Sequence, residues 1–229
     1  MGDTVDPDAV AEAVAEISAR IDTLGGIGRV RLIAVTKGFG ADAITAAVAA
    51  GCRAIGENYA QELRGKVDEL PTAAQWPRPE IHFIGQLQTN KVRALVGIVD
   101  VWQTVDRASL AAEIARRAPG AQVFVQVNTT NEDAKGGCPP DATAALVAQC
   151  AEAGLVVAGL MTVGPTSTDP EATTRAFATL RGLRDDLGLV ALSMGMSGDY
   201  EQAIEQGATH VRIGGALFGP RPGHRTLIG

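Results

Sequence analysis

The chain contains four lysines, and they stand in different company. Lys37 ends the run Ile33-Ala34-Val35-Thr36-Lys37, in which strand alternation puts Ile33, Val35 and Lys37 on one face. An apolar setting strips solvent from an ammonium group. Its pKa falls and the amine becomes nucleophilic, which is what imine formation with a carbonyl requires. A lysine snorkelling from a strand end fits this position equally well. Lys66 falls in a polar helical stretch and reads as a solvated surface residue. Lys91 and Lys135 fall in or just after loops, where they suit anion contacts or structural roles.

A second group of residues suits an anion. Met194-Gly195-Met196-Ser197-Gly198-Asp199 precedes a helical stretch, and Ser197 is placed to cap that helix beside free backbone N–H groups. Further on, Arg212-Ile213-Gly214-Gly215-Ala216-Leu217-Phe218-Gly219 brings glycines that let a phosphate approach the backbone. Two adjacent glycines are commonplace in turns, so their weight depends on where the fold puts them.

The elements between these groups alternate. Strands are expected at Arg31–Lys37, Arg53–Asn58, Ile81–Leu87, Val101–Val105, Gln122–Asn128, Val156–Val163, Val190–Met194 and Thr209–Ile213. Helices are expected at Asp42–Ala50, Tyr59–Leu70, Ser109–Ala118, Asp141–Ala153, Glu171–Leu187 and Tyr200–Gln206, with a shorter one at Asn90–Val96. A leading helix starts at Asp6-Pro7. It places Val10, Val14, Ile17, Ile21 and Leu24 on one face and stops at Gly25-Gly26. Strand–helix alternation with near-continuous apolar strands implies a parallel sheet covered on both sides.

Eight such units in 229 residues predict a single α/β domain over residues 1–229. It is a (β/α)8 TIM barrel over 31–219 with an extra N-terminal helix within 1–26. An open doubly wound sheet is the alternative, although no G-x-G-x-x-G follows the first strand. The segment from Leu70 to Glu80 reads as a surface loop. In a barrel, the strand-one lysine and the glycines after strand eight are neighbours at the carboxyl end, where chemistry sits. An aldehyde carrying a phosphate satisfies both; pyridoxal 5′-phosphate (PLP) is such a molecule.

Composition excludes several classes. The net charge is -6 and the arginines are scattered, which argues against nucleic acid. No apolar run approaches the ~20 residues of a spanning helix. Met1 to Pro7 lacks the basic and apolar regions of a secretory signal, so a cytoplasmic protein is expected. Cys52, Cys138 and Cys150 lack CxxC spacing, and His82, His210 and His224 lack metal-ligand spacing, so no metal site is expected.

The sequence closely resembles the pyridoxal phosphate homeostasis protein family (YggS/PROSC type), which looks like the barrel domain of alanine racemase standing alone. The matching stretches are Ala34–Lys37, Ile55–Glu62, His82–Lys91, Gly159–Thr162, Ser193–Tyr200 and Val211–Gly219, in order along the chain. The resemblance implies that Lys37 forms a Schiff base with PLP and that Ser197, Gly214 and Gly215 contact the phosphate. It further implies that Asn58 and Met161 line the cofactor and that Arg212 faces the pyridine nitrogen. The chain departs from the family pattern at Gly38-Phe39, at Gly215-Ala216, where many relatives have a threonine and an alanine, and at Asn128–Glu132.

An arginine at the pyridine nitrogen would oppose ring protonation and make a poorer electron sink than the aspartate of many PLP enzymes. Arg212 also fits a structural role at a strand end. Racemisation needs a second acid/base on the opposite face of the substrate. Only Pro220–Gly229 follows strand eight, so no racemase-type second domain is expected. Tyr59 and Tyr200 read more simply as packing residues, and His82 as a satisfied core histidine. The expectation is a monomeric PLP carrier that serves apo-enzymes. A weak amino acid racemase and a cofactor-free Schiff-base aldolase are the alternatives.

Overall fold

The computed structural model describes residues 5–71, 76–132 and 134–221. His224 and the centre of the Leu70–Glu80 loop lie outside the described residues. The eight strands are β1 Arg31–Val35, β2 Ala54–Glu57, β3 Glu80–Phe83, β4 Val101–Val105, β5 Gln122–Gln126, β6 Val156–Met161, β7 Ala191–Ser193 and β8 His210–Ile213. They are parallel and close in sequence order, with β8 returning to β1 through Ile33 opposite Arg212. Closure rules out the open sheet and gives a (β/α)8 barrel.

The helices are α1 Pro7–Thr23, α2 Ala41–Ala49, α3 Ala60–Glu69, α4 Ala108–Arg117, α5 Thr143–Glu152, α6 Pro170–Asp186, α7 Tyr200–Glu205 and α8 Gly215–Phe218. In α1 the Asp6 carboxylate accepts from the N–H groups of Asp8 and Ala9, and Pro7 begins the first turn. Its buried stripe is Val10, Val14, Ile17 and Ile21, and it packs against α2 and α8. Among the described residues, no helix is long and apolar enough to cross a membrane.

Each strand has an outer and an inner set of side chains. Ala34, Ile55, Phe83, Trp102, Val125, Leu160 and Val211 belong to the large core between strands and helices. Val101, Phe124, Met161 and Ala191 form a smaller cluster of their own. A polar chain accompanies it. Gln103 Nε2 donates to His82 Nδ1 at 2.7 Å, Ser193 Oγ donates to Gln103 Oε1 at 2.7 Å, and Arg212 donates to Ser193 Oγ at 2.8 Å and to the Thr162 carbonyl at 2.7 Å. His82 is therefore a buried, hydrogen-bonded core residue whose Nε2 faces Glu80 at 3.4 Å.

A cavity of about 680 Å³ opens where the strands begin, between Arg31, Glu80 and His210. Burial, and then the neighbouring His82 and Arg31, push His210 down to about 3. This end of such barrels serves stability rather than chemistry.

Several strands are shorter than their apolar runs. Lys37, Leu87, Asn128, Val163 and Met194 lie just past their ladders, where the backbone leaves the barrel for the loops. Asn90–Val96 is a 3-10 helix over Thr89–Ala94, and a 3-10 turn at Pro140–Ala142 precedes α5. The glycine-rich stretch after β8 winds into the single turn α8 and leaves it through Gly219 at φ 72°.

Candidate functional site

Lys37 sits two residues past the end of β1, half-buried. It lines a pocket of about 380 Å³ with Val35, Phe39, Gly214, Gly215, Gly219, Pro220 and Arg221. Val35 and Lys37 meet this one pocket, as strand alternation requires. Burial, and then the charges of Arg221 and Arg212, lower the pKa of the Lys37 ammonium, while Glu57 and Glu62 oppose the shift. A larger share of its amine is therefore neutral near pH 7, the form that attacks a carbonyl.

The opposite wall is backbone. A side chain on Gly214 would press on the Val35 carbonyl, its Cβ 3.2 Å from that oxygen. A Cβ on Gly215 would meet only Ser197 Oγ, at 4.0 Å, so the space above Gly215 is open. Ser197 does not cap α7: Asp199 holds the N-cap position there, and its Oδ1 accepts from Met196 N. The Ser197 hydroxyl turns instead toward the rim and accepts from Ala216 N at 3.2 Å. Among the described residues, no acceptor is found for the N–H groups of Ser197, Gly198 and Gly215. An amine on one side and a rim of hydrogen-bond donors on the other is the chemistry a phosphorylated aldehyde needs.

The remaining sequence-predicted residues, Asn58, Met161 and Arg212, do not line the Lys37 pocket. Asn58 lines a separate pocket of about 500 Å³ with Tyr59, Gln86, Lys91 and Arg107, and its Oδ1 is buried without a partner among the described residues. Met161 is fully buried among Val101, Phe124 and Ala191. Arg212 is buried, and its guanidinium is held by Ser193 and Thr162. Desolvation lowers its pKa to about 10, with the Asp199 charge opposing, so it remains a cation. Among the described residues, no group of three or more His, Cys, Asp or Glu side chains is placed to hold a metal ion. The three cysteines are buried and unbonded.

Three residues escaped the sequence reading. Arg221 places its side chain against Gly38 and faces the Lys37 pocket. Glu57 ends the apolar strand β2 and is fully buried, with Thr36 Oγ1 donating to its Oε1 at 2.5 Å. Lys66 corrects an expectation. It is not solvated but 4% exposed, and its ammonium contacts Glu57, Glu62 and the Thr36 carbonyl. Two signals pointed this way. Glu57 terminates an apolar strand just as Lys37 does, and Lys66 shares a helix face with Leu63, three residues earlier, and Leu70, four residues later.

Residues 5–222 match the alanine racemase N-terminal domain family. The pyridoxal phosphate homeostasis protein of Pseudomonas aeruginosa is 41% identical over 225 residues, spanning 93% of this chain and 96% of that protein. The human protein of the same name is 37% identical over 212 residues, spanning 83% of this chain and 76% of its own. Among solved structures, PipY of Synechococcus elongatus with PLP bound superposes with a TM-score of 0.80 at 32% identity, covering 92% of this chain and 100% of PipY. With the barrel matched from end to end and identities near two in five, the chain belongs to the pyridoxal phosphate homeostasis protein family, on the alanine racemase N-terminal-domain barrel.

Proposed function

We propose that this protein binds PLP as a Schiff base on Lys37 and serves in PLP homeostasis, carrying the reactive aldehyde to apo-enzymes without robust catalysis of its own. One observation carries the reading: the Lys37 amine and the glycine rim of Gly214 and Gly215 face one pocket. The PLP bound by PipY supports the choice of ligand.

In this reading the neutral Lys37 amine adds to the aldehyde carbon, a C=N bond forms and the aldehyde oxygen leaves as water. Ser197, Gly214 and Gly215 hold the phosphate, with Asn58, Met161 and Arg212 surrounding the ring. The protein acts as a cytoplasmic monomer, with the barrel as one domain.

Borohydride reduction in the presence of PLP, followed by peptide mass spectrometry, tests the reading. A pyridoxyl adduct on Lys37, absent from Lys37→Ala, is expected. An adduct confined to other lysines would overturn it.

A weak racemase is the second reading, and it needs another acid/base beside the substrate. Tyr59 lines the pocket of Asn58, whereas the Tyr200 hydroxyl lies among Glu201, Arg20 and Glu16 of the outer layer. Rapid deuterium exchange at the α-carbon of alanine that depends on Lys37 would favour the racemase over the carrier.

A further inference from the structure

Lys66 has no part in the reading above, yet its surroundings are built around Lys37. Its ammonium lies 2.7 Å from the Thr36 carbonyl oxygen, 2.7 Å from Glu57 Oε1 and 2.5 Å from Glu62 Oε1. Two of its protons go to hydrogen bonds with the Thr36 carbonyl and Glu57, and Glu62 adds an ion pair. The same two carboxylates continue the contacts. Glu57 Oε1 accepts from Thr36 Oγ1 at 2.5 Å, and Glu62 Oε1 accepts from Gly38 N at 2.7 Å. The residue before Lys37 is held at its carbonyl and its hydroxyl, and the residue after it at its N–H. Gly38 is at φ 80°, a left-handed conformation that the bond to Glu62 helps to fix.

We infer that Lys66 is a positioning residue for Lys37. With Glu57 and Glu62 it clamps the backbone on both sides of the reactive amine and balances the charge beneath it. The inference rests on the proposed Schiff base and deepens it.

Two considerations separate this from a plain stabilising contact. Burying an ammonium among carboxylates is costly, and well-packed apolar residues often serve stability as well or better. The cluster also has a defined electrostatic direction. Lys37 feels Glu57 on β2 and Glu62 on α3 from one side, and Arg212 on β8 and Arg221 after α8 from the other. Lys66 offsets one of the two carboxylates. Burial pushes the Glu57 carboxyl up, while the Lys66 charge and hydrogen bond, and then the Thr36 hydroxyl, hold it down. Without Lys66, the negative charge that remains on Glu57 and Glu62 is uncompensated, which favours the ammonium form of Lys37 and raises the pH needed for imine formation. Removing Glu62 does the opposite.

The test follows Schiff-base formation between free PLP and the full-length protein by absorbance, as a function of pH, in the wild type, Lys66→Met, Lys66→Arg and Glu62→Ala. Thermal midpoints serve as the control. Lys66→Met is expected to slow formation roughly ten-fold through misplacement of the amine, and to move the pH midpoint upward. Glu62→Ala is expected to move the midpoint downward and Lys66→Arg to restore part of the rate. Glu62 is partly exposed, so its variant decides the matter if Lys66→Met fails to fold. Wild-type rates and midpoints in folded variants, or shifts of the same sign in Lys66→Met and Glu62→Ala, would overturn the inference. Borohydride labelling keeps the two claims apart. Label on Lys37 with unchanged kinetics sinks only the role of Lys66, whereas label that avoids Lys37 in the wild type sinks the Schiff base itself.

Discussion

The Lys66 ammonium lies 2.7 Å from the carbonyl oxygen of Thr36, the residue that immediately precedes Lys37. A lysine from helix α3 thus reaches through the wall of helices to the end of strand β1. Glu57 and Glu62 share the same ammonium, so the three charges form one unit, buried at Lys66 and Glu57 and partly exposed at Glu62.

That unit has a measurable cost of disruption. Lys66→Ala leaves two carboxylates facing each other with no cation between them. Loss of one partner from a buried ion pair costs about 3–5 kcal/mol. A urea titration of Lys66→Ala should show a loss near this range. The double variant Lys66→Met, Glu57→Gln should recover much of it, because the unpaired charge at Glu57 is gone.

The open space above Gly215 invites a side chain. A Cβ there would meet only Ser197 Oγ, at 4.0 Å. Gly215→Thr should therefore fold normally and add a hydroxyl to the rim. One extra hydrogen bond to a phosphate oxygen is worth about 1 kcal/mol, which is roughly five-fold in the dissociation constant of PLP. Gly214→Ala is expected to weaken the protein instead, since its Cβ presses on the Val35 carbonyl. Equilibrium titration with PLP and thermal melts check both.

His210 gives the fold a built-in sensitivity to acid. Its value in the fold is about 3, against 6.5 for an ordinary imidazole, because burial disfavours the charged ring. Below pH 6.5 the unfolded chain takes up a proton that the folded chain refuses. The stability due to this residue is complete above 6.5 and is lost as pH falls toward 3. The slope is at most about 1.4 kcal/mol per pH unit. Urea unfolding at pH 7 and pH 5 should show a loss of roughly 2 kcal/mol from this source, and His210→Gln should show a correspondingly flatter profile.

Ser193 joins Arg212 to Gln103 inside the barrel. Ser193→Ala removes an acceptor from the guanidinium and a donor from the amide. Leaving buried polar groups unsatisfied costs about 1–3 kcal/mol. Differential scanning calorimetry should show a lower melting temperature, and PLP affinity should fall because Arg212 loses one of its two anchors.

Much of this was legible before any coordinates. The eight apolar runs and the intervening helical stretches contain the barrel, because a parallel sheet buried on both faces needs continuous hydrophobic strands. Lys37 stood out because a charge at the end of such a strand has few explanations. Arg221 was not legible, since nothing in a residue after the last helix says which way it folds back. Lys66 was misread because seven of the ten residues of α3 are polar, charged or glycine, which hid the buried stripe through Leu63. Ser197 was assigned to the wrong helix. Asp199, two residues later, took the N-cap position and left the serine for the rim. Neither side chain caps α7: Asp199 turns back to Met196 N and Ser197 turns to Ala216 N, a choice set by loop geometry that sequence spacing does not contain.

Helix α1 packs against α8, the turn that carries Gly215. The opening and closing segments of the fold therefore support each other at the place where an anion would be gripped. Docking of α1 on α8 joins segments far apart along the chain, a non-local contact of the kind that forms slowly in folding. Trimming the leading helix should loosen the grip while sparing most of the barrel's hydrogen-bonded strands.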